Sequence, residues 1–196
     1  MSQIVFEALD FASQCHRGTY RKGTQIPYIV HPTSMVRYLA RLEAPEELTA
    51  AAALHDVVED TEATLEDIRQ RFGPRIAELV EGASEKDKSL SWRERKVATI
   101  DHARDTDDTE LLVLKCIDKL DNLRDIREDL SLRGDQIWKR FNADKVSLAW
   151  YYGTLAEIFS AKLVGTPYEA LSKEMSSLSE KVFGEAASQS RPAPSP

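Results

Sequence analysis

The segment Leu54–Asp60, LHDVVED, sets one imidazole and three carboxylates directly after four alanines, Ala50 to Ala53. On a continuous helix the neighbours His55 and Asp56 cannot point in one direction. Glu59 would stand one turn from both, and Asp60 one turn from Asp56. Carboxylates crowded onto an Ala/Val helix are costly unless a cation or paired donors lie among them, and a divalent metal meets that need. The plainer alternative is a helix that ends at the surface on Glu59 and Asp60, with His55 hydrogen-bonded in a core.

Two other positions favour the metal. His31 lies in PYIVHP, a proline-bounded segment after a loop, and Asp118 interrupts the apolar face Leu114, Ile117, Leu120 of a long helical pattern. A carboxylate there needs a partner. His31, His55, Asp56 and Asp118 together make a two-imidazole, two-carboxylate set. Such mixed nitrogen and oxygen donors suit Mn, Fe or Zn better than Ca. A metal of this kind yields a nucleophile from water at neutral pH and draws charge off phosphoryl oxygens, while a nearby carboxylate can take the proton.

Positioning these groups falls to helices. The chain has 196 residues with 8 Gly and 8 Pro, and its periodicity is 3.6 residues with no convincing strand. The pattern predicts one all-α domain over residues 1–184, of about eight to ten helices. They run over 3–16, from Pro32 to Leu42, from Pro45 to near Asp60, from a Thr64/Asp67 capping box to Gly73, and from Pro74 through RIAELVEG. Later ones cover Trp92–Arg104, a long span from Thr109 to the break at Gly134, and roughly 136–163 and 168–183. Residues 84–91 read as a polar loop and 185–196 as a disordered tail of small residues and Pro. Cys15 and Cys116 read as small apolar residues rather than a disulfide or ligands.

Charge is segregated. The net charge is −7, yet no acid occurs from Phe11 to Leu42, where Arg17, Arg21, Lys22, Arg37 and Arg41 give +5, and residues 43–130 carry −11. The acidic balance argues against a nucleic-acid polymer, whereas a basic stretch beside metal-binding carboxylates suits a small polyphosphate. Arg37 and Arg41 read as a solvated helix face. No apolar run is long enough for a membrane span, and the acidic N-terminus is unlike a signal peptide, so the expected location is cytoplasmic.

The order HP, LHDVVEDT, CIDKLDNLRD, together with HRGTYRKGTQIPYIVHP and FGPRIAELVEG, resembles the hydrolase domain of RelA/SpoT-type alarmone enzymes, a branch of the HD superfamily of metal-dependent phosphohydrolases. The resemblance implies an HD-domain helical bundle and a stand-alone small alarmone hydrolase. It makes His31, His55, Asp56 and Asp118 the ligands of Mn2+, with Fe or Zn less favoured. Glu59 and Asp60 become the pair that orients or activates the attacking water. The implied reaction is removal of the 3′-pyrophosphate of (p)ppGpp or (p)ppApp. Arg21 and Lys22, in the loop before His31, would contact the nucleotide base, and Asn122 the substrate. Arg95 and Lys96 could reach phosphate, and Lys145 and Tyr151, near Asn142 and Tyr152, could close over the nucleotide. Against each stands a structural role, a charged helix surface or an aromatic core. Asp121 departs from the family pattern, which usually has His, Tyr or Ser there, and either adds charge beside the metal or faces solvent. Two other functions stay open: another nucleotide phosphohydrolase activity such as removal of the 2′-phosphate of NADPH, and an antitoxin-like module that docks to an alarmone synthetase.

Overall fold

The computed structural model describes residues 3–85, 88–184 and 186, so the expected tail lies outside the described residues apart from Ala186. The elements are α1 (Gln3–Cys15), α2 (Val30–Arg41), α3 (Glu46–Leu54), α4 (Val57–Asp60), α5 (Leu65–Phe72), α6 (Pro74–Ala83), α7 (Trp92–Asp105), α8 (Thr109–Arg133), a 3-10 helix (Gly134–Arg140), α9 (Lys145–Lys162) and α10 (Glu169–Phe183). Among the described residues there is no strand, only an isolated bridge between Tyr20 and Pro27. No helix is long and apolar enough to cross a membrane.

Local chemistry accounts for most boundaries. Thr64 and Asp67 form the expected reciprocal capping box at α5. Gly73, at φ +91°, ends that helix, and Pro74 opens α6 in the first turn, where no N–H is needed. Ser91 and Glu94 cap α7 in the same reciprocal way.

Two boundaries differ from expectation. The helix through the Ala-rich stretch stops at Leu54, and a separate single turn, Val57–Asp60, follows. The helix expected over 136–163 is divided: a 3-10 segment ends at Arg140, and α9 begins only at Lys145. There the Asp144 carboxylate accepts from Ser147 N–H at 2.8 Å, an N-cap that starts the helix afresh.

The described residues gather into two compact units. One holds α1–α6 with α8 as far as Asp118; the other holds α7, α8 from Lys119, the 3-10 helix, α9 and α10. In the first unit α1, α2 and α6 pack on α3, and α5 packs on α6. Every residue of α3 from Leu48 to Leu54 is buried, and the alanines keep the helix thin enough for neighbours on several sides. Gly82 serves a close approach of α6 to α8, because a Cβ there would fall 2.8 Å from Leu111 Cδ2. Cys116 is fully buried and Cys15 partly so, and neither is in a disulfide.

Arg75 fastens α6 to the start of α8. Its guanidinium donates to both Asp108 carboxylate oxygens at 2.7 and 2.9 Å, and to Glu110 Oε2 at 2.6 and 3.0 Å. The forked hydrogen bonds hold the Asp108 carboxyl below its usual range. A carboxylate depressed in the folded state adds stability above its unfolded pKa and loses it as pH falls through the folded one. Thermal unfolding followed between about pH 5 and 3 should therefore show a shallower loss of stability in Arg75→Gln than in the parent.

In the second unit α7 and α10 pack on α9. The Trp138 ring of the 3-10 helix lies 5.8 Å from that of Phe183 in α10 and 6.0 Å from that of Phe141. Arg140, at the end of the 3-10 helix, donates to the buried Asp129 of α8.

Candidate metal centre

Three elements of the first unit bring the ligands together. His31 lies in the first turn of α2, Asp118 lies on α8, and His55 and Asp56 occupy the joint between α3 and α4. One ligand atom each from His31, His55 and Asp118 lie within 4.8 Å of one another. His31 Nε2 is 3.4 Å from Asp118 Oδ1, and His55 Nε2 is 3.9 Å from the same atom. Asp56 Oδ2 is 2.8 Å from His55 Nε2 and 3.9 Å from His31 Nε2. Three of the four expected ligands thus form one cluster, and Asp56 adjoins it through the two imidazoles.

The neighbours His55 and Asp56 meet, contrary to the helical reading, in the two-residue joint after α3 has ended at Leu54 and before α4 begins at Val57. Asp56 takes φ −100° and ψ −4°, in the sparsely populated bridge region where active-site residues often lie.

The ring of His55 is suited to a metal. Its Nδ1 lies 3.0 Å from the Ala52 carbonyl, which selects the tautomer with the proton on Nδ1 and turns Nε2 toward the cluster. Nε2 is buried and makes no hydrogen bond of proper direction among the described residues. Burial opposes a charged His55, yet the carboxylates of Asp56 and Asp118 outweigh it and push the imidazole up to about 9. Burial likewise opposes an ionised Asp56, and His55 more than offsets this, holding the carboxyl well below its usual range. Such a field favours a positive charge at this point. A buried imidazole edge facing two carboxylates fits a divalent cation of the Mn, Fe or Zn class.

Glu59 and Asp60 form the turn of α4 just beyond. Glu59 is partly buried and its Oε2 accepts from Glu85 N–H at 3.0 Å, while Asp60 is exposed. Burial raises the Glu59 carboxyl, and the backbone N–H of Glu85 counters part of that rise.

Tyr28 and His16 escaped the sequence reading. The Tyr28 hydroxyl donates to Asp56 Oδ2. Burial, and then the Asp56 carboxylate, push the phenol far upward, so it stays protonated. Its ring lies 4.6 Å from that of His16 and 6.1 Å, edge-on, from that of His31. The only sequence signal was position: Tyr28 stands three residues before His31 inside PYIVHP.

The loop before α2 is closed by its own backbone, with Arg21 N–H donating to the Ile26 carbonyl at 2.8 Å and Tyr28 N–H to Thr19 at 3.0 Å. Within it the Arg21 guanidinium lies 5.6 Å from the Tyr28 ring centroid, and Lys22 is exposed. The remaining expected substrate contacts belong to the second unit. Asn122 follows Asp118 by one turn of α8. Arg95 Nη1 faces the carbonyls of Lys88 and Leu90 at 3.4 and 3.3 Å. Lys96 Nζ lies 5.1 Å from the centroid of the buried Tyr151 ring, and Lys145 Nζ lies 5.1 Å from that of Trp138. Asp121 is buried rather than facing solvent.

The HD-domain family model HD_4 matches residues 8–148. A guanosine-3′,5′-bis(diphosphate) 3′-pyrophosphohydrolase of Aquifex aeolicus is 36% identical over 130 residues, covering 63% of this chain and 18% of that protein. This chain thus spans about a fifth of the bacterial relatives' length. The pyrophosphohydrolase MESH1 of Danio rerio is 38% identical over 126 residues, covering 63% of this chain and 69% of the relative. A solved structure of lmo0812 from Listeria monocytogenes superposes with a TM-score of 0.72 at 36% identity, over 78% of this chain and 98% of that one. A second, described as a metazoan ortholog of SpoT that hydrolyzes ppGpp, gives 0.73 at 30% identity, over 92% and 96%. Matched across most of its length in sequence and in fold, the chain belongs to the HD-domain family, on the branch that holds the (p)ppGpp 3′-pyrophosphohydrolases.

Proposed function

We propose that this chain is a cytoplasmic, Mn2+-dependent hydrolase that removes the 3′-pyrophosphate of guanosine or adenosine alarmones. The observation that carries the reading is the convergence of His31, His55, Asp56 and Asp118 beside the partly buried Glu59. Its relatives' names point to the same substrate class. Held by those four residues, a divalent cation supplies Lewis acidity toward phosphoryl oxygens and a nucleophile from water at neutral pH. Glu59, raised by burial, accepts the proton of the attacking water, and Asp60 orients that water. The oxygen of the water bonds to the phosphorus carried on the ribose 3′ oxygen. The bond from that phosphorus to the 3′ oxygen breaks, the 3′ oxygen takes up a proton, and pyrophosphate leaves. Arg21 and Lys22 supply positive charge in the loop beside His31, where a polyphosphate would otherwise meet only carboxylates.

The test incubates the Mn2+-loaded protein with ppGpp, ppApp and NADPH in parallel, with Asp56→Ala as control. Pyrophosphate released from either alarmone by the parent and not by the variant is the expected result. Phosphate from NADPH alone would reassign the substrate. Turnover of none would favour a module that binds an alarmone synthetase over an enzyme.

A further inference from the structure

We infer that Tyr28 is a positioning residue for the metal centre: its hydroxyl fixes the Asp56 carboxylate in the orientation that faces His55 and His31. The inference rests on the metal-site reading above and adds to it a residue outside the ligand set and the acid/base pair. The Tyr28 hydroxyl donates to Oδ2, the same oxygen that lies 2.8 Å from His55 Nε2. Asp56 lies in the joint between α3 and α4, and its side chain makes no capping bond to the α4 backbone. An external donor is what sets its orientation, as hydrogen-bonded partners of metal ligands do generally.

The phenol is itself held from two directions. Along the backbone, Tyr28 N–H donates to the Thr19 carbonyl at 3.0 Å, and the Tyr28 carbonyl accepts from His31 N–H at 3.0 Å. This ties it to the start of α2, where His31 lies. Through the ring it packs on His16, which is 4% exposed and whose two nitrogens have no hydrogen-bond partner among the described residues. A buried imidazole without partners is unfavourable on its own account; here its flat face supports the Tyr28 ring, 4.6 Å away and tilted by 31°. One tyrosine thus joins the loop, His31 and Asp56, three parts of the site that come from separate stretches of chain.

Tyr28→Phe keeps the ring, its packing on His16 and the backbone bonds, and removes only the hydroxyl. Mn2+ binding by the whole protein, read from the free-ion electron paramagnetic resonance signal, should weaken by about 10- to 100-fold. The melting temperature of the metal-free protein should fall by several degrees at most, the cost of one lost hydrogen bond to a carboxylate that keeps His55 beside it. With Co2+ as probe, the visible absorption bands should change in shape, which a remote structural change would leave alone. At saturating Mn2+, kcat for the alarmone should fall while KM stays near the parent value. Parental Mn2+ affinity together with an unchanged Co2+ spectrum in Tyr28→Phe would overturn the inference while leaving the metal site standing. A parent that binds no Mn2+, or an Asp56→Ala variant that binds it as well as the parent, would overturn the metal-site reading and the inference with it. A Tyr28→Phe protein that no longer folds without metal would also count against it, since the hydroxyl would then be serving the fold.

Discussion

Glu59→Gln should lower kcat by about 10²- to 10⁴-fold, the usual worth of a positioned general base, or roughly 3–5 kcal/mol of barrier. The substitution is nearly isosteric, and the amide oxygen can still accept from Glu85 N–H, the bond that Glu59 Oε2 now receives at 3.0 Å. What disappears is basicity. Mn2+ affinity should be unaffected, because Glu59 lies outside the convergent ligand set. Asp60→Asn should cost less, since Asp60 is exposed and a residue that orients water can do so through an amide. The sign of the pH effect follows from the raised Glu59 carboxyl. The base is inactivated by protonation, so kcat/KM should fall on the acid side at a pH above the ordinary Glu range near 4.3. In Glu59→Gln that acid limb should flatten. Steady-state kinetics across pH, with metal binding measured on the same samples, decides the matter; a variant that binds Mn2+ and turns over at the parental rate would remove Glu59 from the mechanism.

Arg140→Ala should destabilise the protein by about 3–5 kcal/mol, because it leaves the Asp129 carboxylate buried without its main partner. Asp129 is 8% exposed, and its remaining cation, Arg133, is 3.7 Å away and half exposed. The lower end of that range is expected for this reason. The contrast is Arg104 on α7, whose bond to Asp101 joins two half-exposed side chains; its loss should cost under about 1 kcal/mol. Replacing Arg140 and Asp129 together by Met and Leu should recover most of the loss, since no buried charge is then left over. Urea unfolding read as a midpoint shift at constant slope measures all three. A shift for Arg140→Ala no larger than that for the α7 variant would show that Asp129 is solvated or otherwise paired.

The residues that carry charge in apolar surroundings were the most legible part of the site. Asp118 stood out because nothing in Leu114, Ile117 and Leu120 could satisfy it, and His31 because two prolines framed its segment. Helix ends written in capping chemistry, at Thr64, Gly73 and Pro74, were legible for the same reason: each satisfies or removes a particular backbone donor. The break between Leu54 and Val57 was hidden, because LHDVVED has no Gly or Pro and every residue of it tolerates a helix. Only packing around α3 and convergence on the cluster impose it. Tyr28 was hidden too, since a tyrosine before a histidine carries no periodic or capping signal and its value comes from a hydroxyl reaching a residue 28 positions away. The late start of α9 had a cue in Asp144, whose N-capping role competes poorly on the page with the apolar pattern beginning at Ile137.

The joint at His55 and Asp56 means that the convergence depends on where the helix is interrupted as much as on side-chain identity. Two consecutive residues face one cluster where the helix is interrupted, so copying His55, Asp56, His31 and Asp118 onto an unbroken helical scaffold should transfer the side chains without their convergence. A transplant of this site would have to carry that interruption, and the tyrosine whose hydroxyl meets the Asp56 carboxylate, along with the four side chains.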